Sequence, residues 1–301
     1  MRIAIIVLNF NNYKDTIACV KSILPFLDDH TNLYVVDNNS TDDSILFLNE
    51  AFNQFTNPYL TFIKNHKNNG YAGGNNYGIT YAMNKIDYDY YWVLNNDTIV
   101  PVKSFFELQQ YALLHPELEL IGTVQVFYEL PNIIQTAGGI YYAPFSICKN
   151  IYKNNPITSI SRNIENADYP SGASLLVKKS FIEKVGLLNE RYFLFFEEID
   201  WVNRARKIYK NRFWDICTNC IILHKEGGTN KNHSSASSTL SEYFFHRNRI
   251  LITAFYYPQF QYTVMVSLFV SVLKRLIFLK PKRALNIYTA IRDGYRYSID
   301  E

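Results

Sequence analysis

Three polar side chains follow a short apolar stretch in the first third of the sequence. Tyr90 to Leu94 is aromatic, aliphatic and β-branched, and Asn95, Asn96 and Asp97 come directly after it. Such a run predicts a buried strand, and ligands of open α/β sheets lie beyond the carboxyl ends of strands. A carboxylate flanked by amides suits Mg²⁺, which takes oxygen ligands and shares them with phosphates. The alternative is a polar turn that caps the next element.

A second carboxylate, Asp37, ends the predicted strand Leu33–Val36. Strand-end carboxylates of a parallel sheet can meet in one crevice, which would leave Asp37 for a ribose or base and Asp97 for a metal. The alternative for Asp37 is a cap on the helix predicted from Ser44, although Ser40 or Asp42 would cap that helix better.

The segment from Gly70 to Gly78 contains four glycines and precedes or enters a helix predicted over Asn75–Met83. It does not form G-x-G-x-x-G and it follows the third strand instead of the first, which argues against a dinucleotide oxidoreductase. Backbone N–H groups in front of a helix can still bind a phosphate or a sugar. A plain turn is the alternative.

Glu197 and Glu198 follow the aromatic run Tyr192–Phe196, where a carboxylate can be partly desolvated and its pKa raised toward that of a general base. If the two lie on one strand they point opposite ways, so only one faces a site. Solvated glutamates at a helix start are the alternative. His224 ends a predicted strand near Gly227-Gly228; a lone histidine is usually structural but can also bind a metal.

The elements that must position these residues alternate in type. The first hundred residues read as β-α-β-α-β-α-β, which predicts right-handed crossovers and a doubly wound, mostly parallel α/β sheet. Further predicted features are strands at 120–127, 133–136, 140–142, 174–177, 213–217 and 220–223, a helix at 181–185, a polar loop at 147–166 and a flexible loop or lid at 225–238.

The composition narrows the class of protein. At 301 residues and 48% hydrophobic content the chain can bury a full core, and a formal charge of +3 is too small to indicate nucleic acid as the main partner. The four cysteines, with only Cys217 and Cys220 spaced C-x-x-C, predict reduced thiols. Met1–Phe10 lacks a long apolar h-region and predicts a first strand, so we expect a cytoplasmic protein.

The C-terminal part is helical and basic. Helical periodicity resumes at Ser241–Tyr256, and the apolar stretch Tyr262–Leu273 is shorter than the roughly 20 residues that span a bilayer. Basic residues follow it: Lys274, Arg275, Lys280, Lys282, Arg283, Arg292 and Arg296. These features predict an interfacial membrane helix with a basic flank, with a buried or dimerising helix and a true span as alternatives.

Seven blocks in order resemble family 2 glycosyltransferases of the GT-A fold, especially the branch of rhamnosyl- and galactofuranosyl-transferases. The likeness covers about residues 3 to 230. Its blocks are Ile5–Asn11, Val35–Asp42, Asn69–Gly78, Leu94–Thr98, Gly172–Val177, Phe195–Asp200 and His224 with its glycines.

The resemblance implies inverting transfer of a sugar from a nucleotide-diphosphate donor to an acceptor hydroxyl, with Mg²⁺ or Mn²⁺ on the diphosphate. Asp97 matches the metal-binding position of the family's D-x-D motif, Asn95 replaces its first acidic residue, and His224 would assist the metal. Glu198 matches the general base, with Glu197 and Asp200 as rivals. The implied donor-binding residues are Asn9, Asp37, Asn69, Gly70, Gly73, Asn75, Asn95 and Asn96.

The resemblance also suggests how the chain is divided. We expect a catalytic domain at 1–238, of which about 1–100 binds the nucleotide sugar and 101–238 the acceptor, and a basic helical extension at 239–301. The expected partners are a UDP- or dTDP-sugar, a glycan or lipid-linked acceptor in cell-surface polysaccharide synthesis, the inner face of the membrane and a second copy of the chain, without nucleic acid. Alternatives are a non-catalytic sugar-nucleotide-binding or assembly protein with a decayed site, a sugar-phosphate nucleotidyltransferase and a membrane-surface module.

Overall fold

A computed structural model describes residues 1–161, 164–225 and 235–299, with only the backbone of 235–238 and 299. The strands are β1 Ile3–Asn9, β2 Thr31–Asp37, β3 Leu60–Lys64, β4 Tyr90–Asn95, β5 Thr98–Ile99, β6 Leu120–Phe127, β7 Leu130–Thr136, β8 Gly139–Tyr142, β9 Ile147–Asn150, β10 Ser174–Lys178 and β11 Trp214–His224. The helices are α1 Tyr13–Ile23, α2 Ser44–Phe55, α3 Gly70–Met83, α4 Val102–Leu114, α5 Lys179–Val185, α6 Glu197–Ile208, α7 Ser235–Tyr256, α8 Gln261–Ile277 and α9 Pro281–Ile299.

The central sheet has the strand order β3-β2-β1-β4-β10-β6-β11-β5, and β7 pairs with β6 at its side. Strands β3, β2, β1 and β4 are parallel, as the alternating pattern predicts, and β6 and β11 are parallel to each other. Strand β10 lies antiparallel between β4 and β6. The predicted α/β class and the parallel sheet are therefore confirmed, with an antiparallel strand at the centre.

Both faces of the sheet are covered by helices. In β1, Ala4 and Ile6 pack into one core, while Ile3, Ile5 and Val7 pack into the other. All five side chains are almost fully buried, which explains why this strand is a continuous apolar run instead of an alternating one.

Helix α3 begins at Gly70, five residues before its predicted start. The helix lies so close to the sheet that a Cβ on Gly74 would come within 2.5 Å of Leu8, and one on Gly78 within 2.6 Å of Ile6. The glycines that look like a loop in the sequence therefore belong to the helix, where they allow the backbone to approach β1.

Several other boundaries differ from prediction for local reasons. Helix α1 ends at Ile23 because Pro25 enters a 3-10 turn. The loop predicted from residue 147 begins with β9, which pairs with β8 as a hairpin. The two predicted strands 213–217 and 220–223 are one strand, β11, with an irregular register between Cys217 and Ile221. All four cysteines are free, as predicted.

The predicted loop at 225–238 lies largely outside the described residues, including Gly227 and Gly228; helix α7 already begins at Ser235. Helix α7 packs Leu251 and Ile252 into the main core. Helices α8 and α9 form a separate cluster with the far side of α7, built from Ile250, Val264, Leu268, Ile287 and Ile291.

Helix α8 leaves much of its apolar surface exposed. By length and composition alone, the longer segment Pro258–Ile277, which includes the predicted apolar stretch Tyr262–Leu273, is long and apolar enough to cross a membrane. Only 11% of that window is buried inside the protein, so the simple alternative of a buried core helix is wrong.

Candidate functional site

Asp97 and His224 meet at the carboxyl edge of the sheet. The carboxylate follows β4 and the imidazole ends β11, and Asp97 Oδ1 lies 3.1 Å from His224 Nε2. On its other side, His224 Nδ1 lies 2.6 Å from Gln135 Oε1. Because an amide oxygen only accepts, this contact requires Nδ1 to carry its proton and donate it. Histidines that bind a metal through one ring nitrogen commonly donate a hydrogen bond from the other, which fixes the tautomer and the orientation of the ring.

The Asp97–His224 pair fits a divalent cation. With Nδ1 protonated, a neutral imidazole presents the lone pair of Nε2 to a carboxylate oxygen, so a proton or a cation must lie between the two atoms. Asp97 Oδ1 and His224 Nε2 would be the protein atoms that hold such a cation. Within the described ranges no three His, Cys, Asp or Glu side chains converge on one point, so the remaining ligands would be phosphate oxygens and water.

A chain of buried hydrogen bonds connects the ends of β4, β1 and β2. Asn96 Nδ2 donates to Thr16 Oγ1 at 2.8 Å, and Thr16 Oγ1 lies 2.7 Å from Asn9 Oδ1 as a donor. Asn9 Nδ2 then donates to Asp37 Oδ1 at 2.8 Å. Asp37 also accepts from the hydroxyl of Ser40 at 2.6 Å and from its backbone N–H at 2.9 Å.

This network occupies the hydrogen-bonding groups of the Asp37 and Asn9 side chains. Neither side chain is exposed, and Asp37 binds the loop after β2 instead of capping α2, whose N-cap residue is Asp43. The carboxylate therefore holds the loop that starts with Asn38. A direct contact of Asp37 with a ribose or base would require Ser40 to move away.

A second amide cluster holds the start of α3. Asn38 Nδ2 donates to Asn68 Oδ1 and to the Gly70 carbonyl, each at 2.9 Å, and Asn38 Oδ1 accepts from Asn65. Of the predicted donor-binding residues here, Asn69 precedes the helix, Gly70 has a φ of +72° that favours glycine, and Gly73 and Asn75 are buried in its first turns. Asn75 donates to the Tyr71 carbonyl at 2.9 Å, and its Oδ1 is buried without a partner.

Glu197 and Glu198 open helix α6 and do not lie on a strand as predicted. The residues before them form a loop in which Phe193, Phe195 and Phe196 have φ values of 62°, 72° and 74°. We call Phe193–Phe196 the aromatic loop. A run of aromatic residues usually indicates a strand, but here the left-handed backbone turns the chain sharply into α6.

The environment of the two glutamates favours their protonated forms. Burial raises the pKa of Glu198 to about 7. Burial and then the charge of Glu198 raise the pKa of Glu197 well above its usual range, and Glu197 Oε1 has no hydrogen-bond partner. Glu198 is the less buried of the two, so it combines a pKa near neutrality with access to a ligand.

Asp200, the third candidate for the base, already has two partners. Its Oδ2 accepts from Arg204 Nε and its Oδ1 from the Tyr256 hydroxyl, each at 2.8 Å, and the residue is 1% exposed. The bond from Tyr256 connects α6 to the end of α7.

Tyr71 lies close to Asp97 and to both glutamates: burial and then the charges of Glu197, Glu198 and Asp97 raise the pKa of Tyr71 well above its usual value. We call the region around Tyr71 that these carboxylates share the crevice. The Tyr71 hydroxyl donates to the Gly172 carbonyl at 2.6 Å. A Cβ on Gly172 would lie 3.6 Å from the Glu198 carboxyl, and the next residue, Ala173, accepts from the Asn95 N–H at 2.9 Å.

Several residues of this site were not among the sequence predictions. Thr16 and Gln135 carry no signal, since single polar residues on a helix and a strand are common. Arg247 and Asn248 on α7, by contrast, belong to the polar run His246–Arg249 inside a helix that is otherwise largely apolar. The four residues His246–Arg249 are buried. A polar and charged run between apolar parts of a helix is the sequence pattern that could have identified them.

Comparison with known proteins identifies the class. A family model described as Glycosyl transferase family 2 matches residues 4–183, more than half of the chain. The chain belongs to glycosyltransferase family 2. It is 23% identical over 211 residues to the low-salt glycan biosynthesis hexosyltransferase Agl10 of Haloferax volcanii. The match covers 68% of this chain and 62% of that relative, so the chain spans less than two thirds of the relative's length.

Solved structures support the GT-A fold of this glycosyltransferase. The mannosyltransferase PcManGT from Pyrobaculum calidifontis, in complex with GDP-Man and Mn²⁺, has a TM-score of 0.57 at 12% identity, covering 98% of this chain and 87% of that one. GalNAc-T7 with UDP, GalNAc and Mn²⁺ has a TM-score of 0.61 at 12% identity, over 82% of this chain and 47% of that one. The fragment 1-349 of S. aureus TarS has a TM-score of 0.53 at 12% identity, over 90% and 72%.

The strand-end network makes a prediction about Thr16 in this glycosyltransferase. Thr16→Val should leave the side chains of Asn9 and Asn96 with buried, unpaired polar atoms, so the free energy of unfolding should fall by about 1–3 kcal/mol. Thr16→Ser keeps the hydroxyl and should lose less. Urea unfolding of the two variants measures the difference, and equal stability would mean that the network does not depend on this hydroxyl.

Proposed function

We propose that this enzyme transfers a sugar with inversion from a UDP- or dTDP-linked donor to a hydroxyl of a glycan or lipid-linked acceptor in cell-surface polysaccharide synthesis. The observation that carries the proposal is that Asp97, which contacts His224, and Glu198 both lie close enough to Tyr71 to raise its pKa. Similar structures in complex with GDP-Man and Mn²⁺ or with UDP and Mn²⁺, and the hexosyltransferase relative, support a nucleotide-sugar donor. The asparagine Asn95 supports the rhamnosyl- or galactofuranosyl-transferase branch.

The donor would lie along the edge formed by the ends of β1, β2 and β4. Asp97 and His224 would hold Mg²⁺ or Mn²⁺, which when bound neutralises charge on the donor diphosphate. Asn95 and Asn96 border this position. Asn9 and Asp37 would shape the nucleotide site through the loop that they hold, and Asn69, Gly70, Gly73 and Asn75 would border it at the start of α3.

Glu198 would act as the general base. Its carboxylate would take the proton of the acceptor hydroxyl while the acceptor oxygen bonds to the anomeric carbon and the bond from that carbon to the phosphate oxygen breaks. The electron pair of the broken bond leaves with the nucleotide diphosphate. A single displacement of this kind inverts the anomeric centre and needs no covalent intermediate with the protein.

The base assignment predicts a particular pH profile. Because only the ionised carboxylate accepts a proton, kcat/KM should fall with decreasing pH through a midpoint set by the Glu198 pKa of about 7. Glu198→Gln should lower kcat by about 10²–10⁴-fold while donor binding is kept. Initial rates from pH 5 to 9 and titration with UDP and with dTDP measure both effects.

Glu197→Gln and Asp200→Asn are the matched controls for this experiment. Each replaces a neighbouring carboxylate by its isosteric amide, and each should retain more activity than Glu198→Gln. If Glu198→Gln turned over normally while either control did not, the base assignment would be wrong. Donor-dependent release of nucleotide diphosphate by the native enzyme would exclude the rival function, a non-catalytic sugar-nucleotide-binding or assembly protein.

The metal assignment predicts that Mn²⁺ strengthens UDP binding and that Asp97→Asn removes this effect. Gln135→Leu should weaken Mn²⁺ binding by about 10–100-fold, because the imidazole loses the partner that orients it. Asp215→Asn, which alters a carboxylate paired with Arg212, is the control. Electron paramagnetic resonance of free Mn²⁺ with and without UDP measures binding directly, and an unchanged Asp97→Asn titration would contradict the assignment.

The exposed face of α8 supports attachment to an anionic membrane surface on the cytoplasmic side. Its apolar side chains recur at helical spacing, with Tyr262, Val266, Phe269, Val270 and Leu273 all exposed. At the end of the helix Leu276–Leu279 is exposed as well, flanked by the exposed Lys274, Lys280 and Lys282. An apolar stripe edged with cations suits the interface of an anionic bilayer.

Sedimentation with lipid vesicles tests this attachment. The protein should bind vesicles that contain phosphatidylglycerol and bind weakly to pure phosphatidylcholine, and Ile277→Asp should reduce binding. Leu114→Asp is the control, because Leu114 is 67% exposed on α4, far from α8 in sequence. If Ile277→Asp instead dissolved a dimer and left vesicle binding unchanged, the face would be an interface between copies of the chain.

A further inference from the structure

The aromatic loop is held in a conformation that its own residues do not favour. Phe193, Phe195 and Phe196 all have positive φ values, and a left-handed backbone is unfavourable for a bulky residue. The loop leads directly into Glu197 and Glu198. Some other part of the molecule must therefore stabilise the loop for the glutamates to keep their positions.

Asn248 on α7 supplies the hydrogen bonds. Its Nδ2 donates to the carbonyls of Tyr192 and Leu194, each at 2.8 Å, and to that of Phe195 at 3.0 Å. The side chain is fully buried, so water does not compete for these bonds. One amide group thus binds three carbonyls along the turn.

Arg247 fixes the orientation of that amide. Its Nε and Nη2 donate to Asn248 Oδ1 at 3.0 and 2.8 Å, and Nη2 also reaches the carbonyl of Tyr192 at 3.0 Å and that of Arg191. Since a guanidinium only donates and a carbonyl only accepts, the amide can satisfy both sides in one orientation only. The Arg247 guanidinium itself lies 4.6 Å from the centre of the Phe244 ring.

The aromatic loop also contacts the donor side of the crevice. The Phe193 ring stacks on Phe244 with a centroid distance of 4.4 Å, and the Phe193 carbonyl accepts from the N–H of Tyr71 at 2.6 Å. The loop is therefore enclosed between α7 and the first turn of α3. A change in its backbone would alter the start of α6.

We propose that Arg247 and Asn248 are positioning residues for sugar transfer, which hold the aromatic loop in its left-handed conformation and thereby fix Glu198 in the crevice. The inference rests on the proposed role of Glu198 as the base. Neither residue touches the reacting atoms; each acts on kcat through the loop.

Asn248→Asp tests the proposal, because the carboxylate keeps the size of the side chain and still accepts from Arg247 but cannot donate to the three carbonyls. We expect kcat to fall by about 10²-fold, as for other small misplacements of a catalytic group, with little change in donor KM. Arg247→Ala should behave similarly, and added guanidinium at a non-denaturing concentration should restore part of its kcat.

The pH profile separates positioning from general damage. Glu198 faces Glu197 on its own helix, Tyr71 on α3, Cys148 on β9 and Tyr169 before β10. A released loop would admit water to Glu198, so the midpoint of the acidic limb should move from near 7 toward the ordinary carboxyl range in Asn248→Asp.

Arg249→Ala is the matched control. Arg249 is equally buried but donates to the carbonyls of Phe145 and Ser146 and to the Ser267 hydroxyl, away from the aromatic loop. This variant should lose stability while keeping the pH midpoint. Circular dichroism and UDP binding verify folding, and Arg247→Lys, which keeps the charge but loses the planar fork, is the milder variant if Arg247→Ala or Asn248→Asp does not fold.

The proposal would be wrong if Asn248→Asp and Arg247→Lys folded and kept the native kcat. It would also be wrong if Arg249→Ala lost as much kcat as the loop variants while the pH midpoint of the loop variants stayed where it is in the native enzyme. Failure of the proposed function is distinguishable, since it would appear as normal turnover of Glu198→Gln. An inactive Glu198→Gln beside fully active loop variants would leave the base assignment intact and refute only the positioning role.

Discussion

The site depends on one constraint: polar side chains that are buried at the carboxyl edge of the sheet must all find hydrogen-bond partners. The chain from Asn96 through Thr16 and Asn9 to Asp37 meets this requirement with amide, hydroxyl and carboxylate groups that complement one another. Because the chain crosses three strand ends, it fixes the loops on either side of the crevice. Asp37, for which the sequence predicted contact with a ribose or base, has its carboxylate occupied by these bonds.

The opposite wall of the crevice follows a different principle. There Glu197 Oε1 has no hydrogen-bond partner, and burial favours the protonated form of both glutamates. The backbone that presents them is strained, and the stabilising bonds come from α7. The hydrogen-bond network from Asn96 to Asp37 thus holds the residues proposed to bind the donor. The desolvated glutamates after the strained aromatic loop would serve proton transfer.

The sequence predicted the sheet and the candidate site best where buried apolar strands end in polar residues. The buried runs of β1 and β4 predict a parallel sheet, and their polar ends predict the shared edge, because these patterns arise from local burial. Long-range packing explains the failures. The sequence pattern places Gly70, Gly73 and Gly74 before the predicted helix because the approach of α3 to β1 is not visible in the sequence. It misses the left-handed turn of the aromatic loop because the carbonyls of that loop bind Asn248, more than fifty residues later. Gln135 could be recognised only once β7 and β11 were placed.

The position of α7 has a consequence for acceptor choice. Its one side stabilises the loop of the proposed base, and its other side packs against the helices that carry the exposed apolar stripe. The height and tilt of the crevice above a bilayer would then be set by a single helix instead of a flexible tether. The distance between the membrane surface and Glu198 would then be fixed. A lipid-linked glycan would be extended only when its terminal hydroxyl lay at that distance from its lipid anchor.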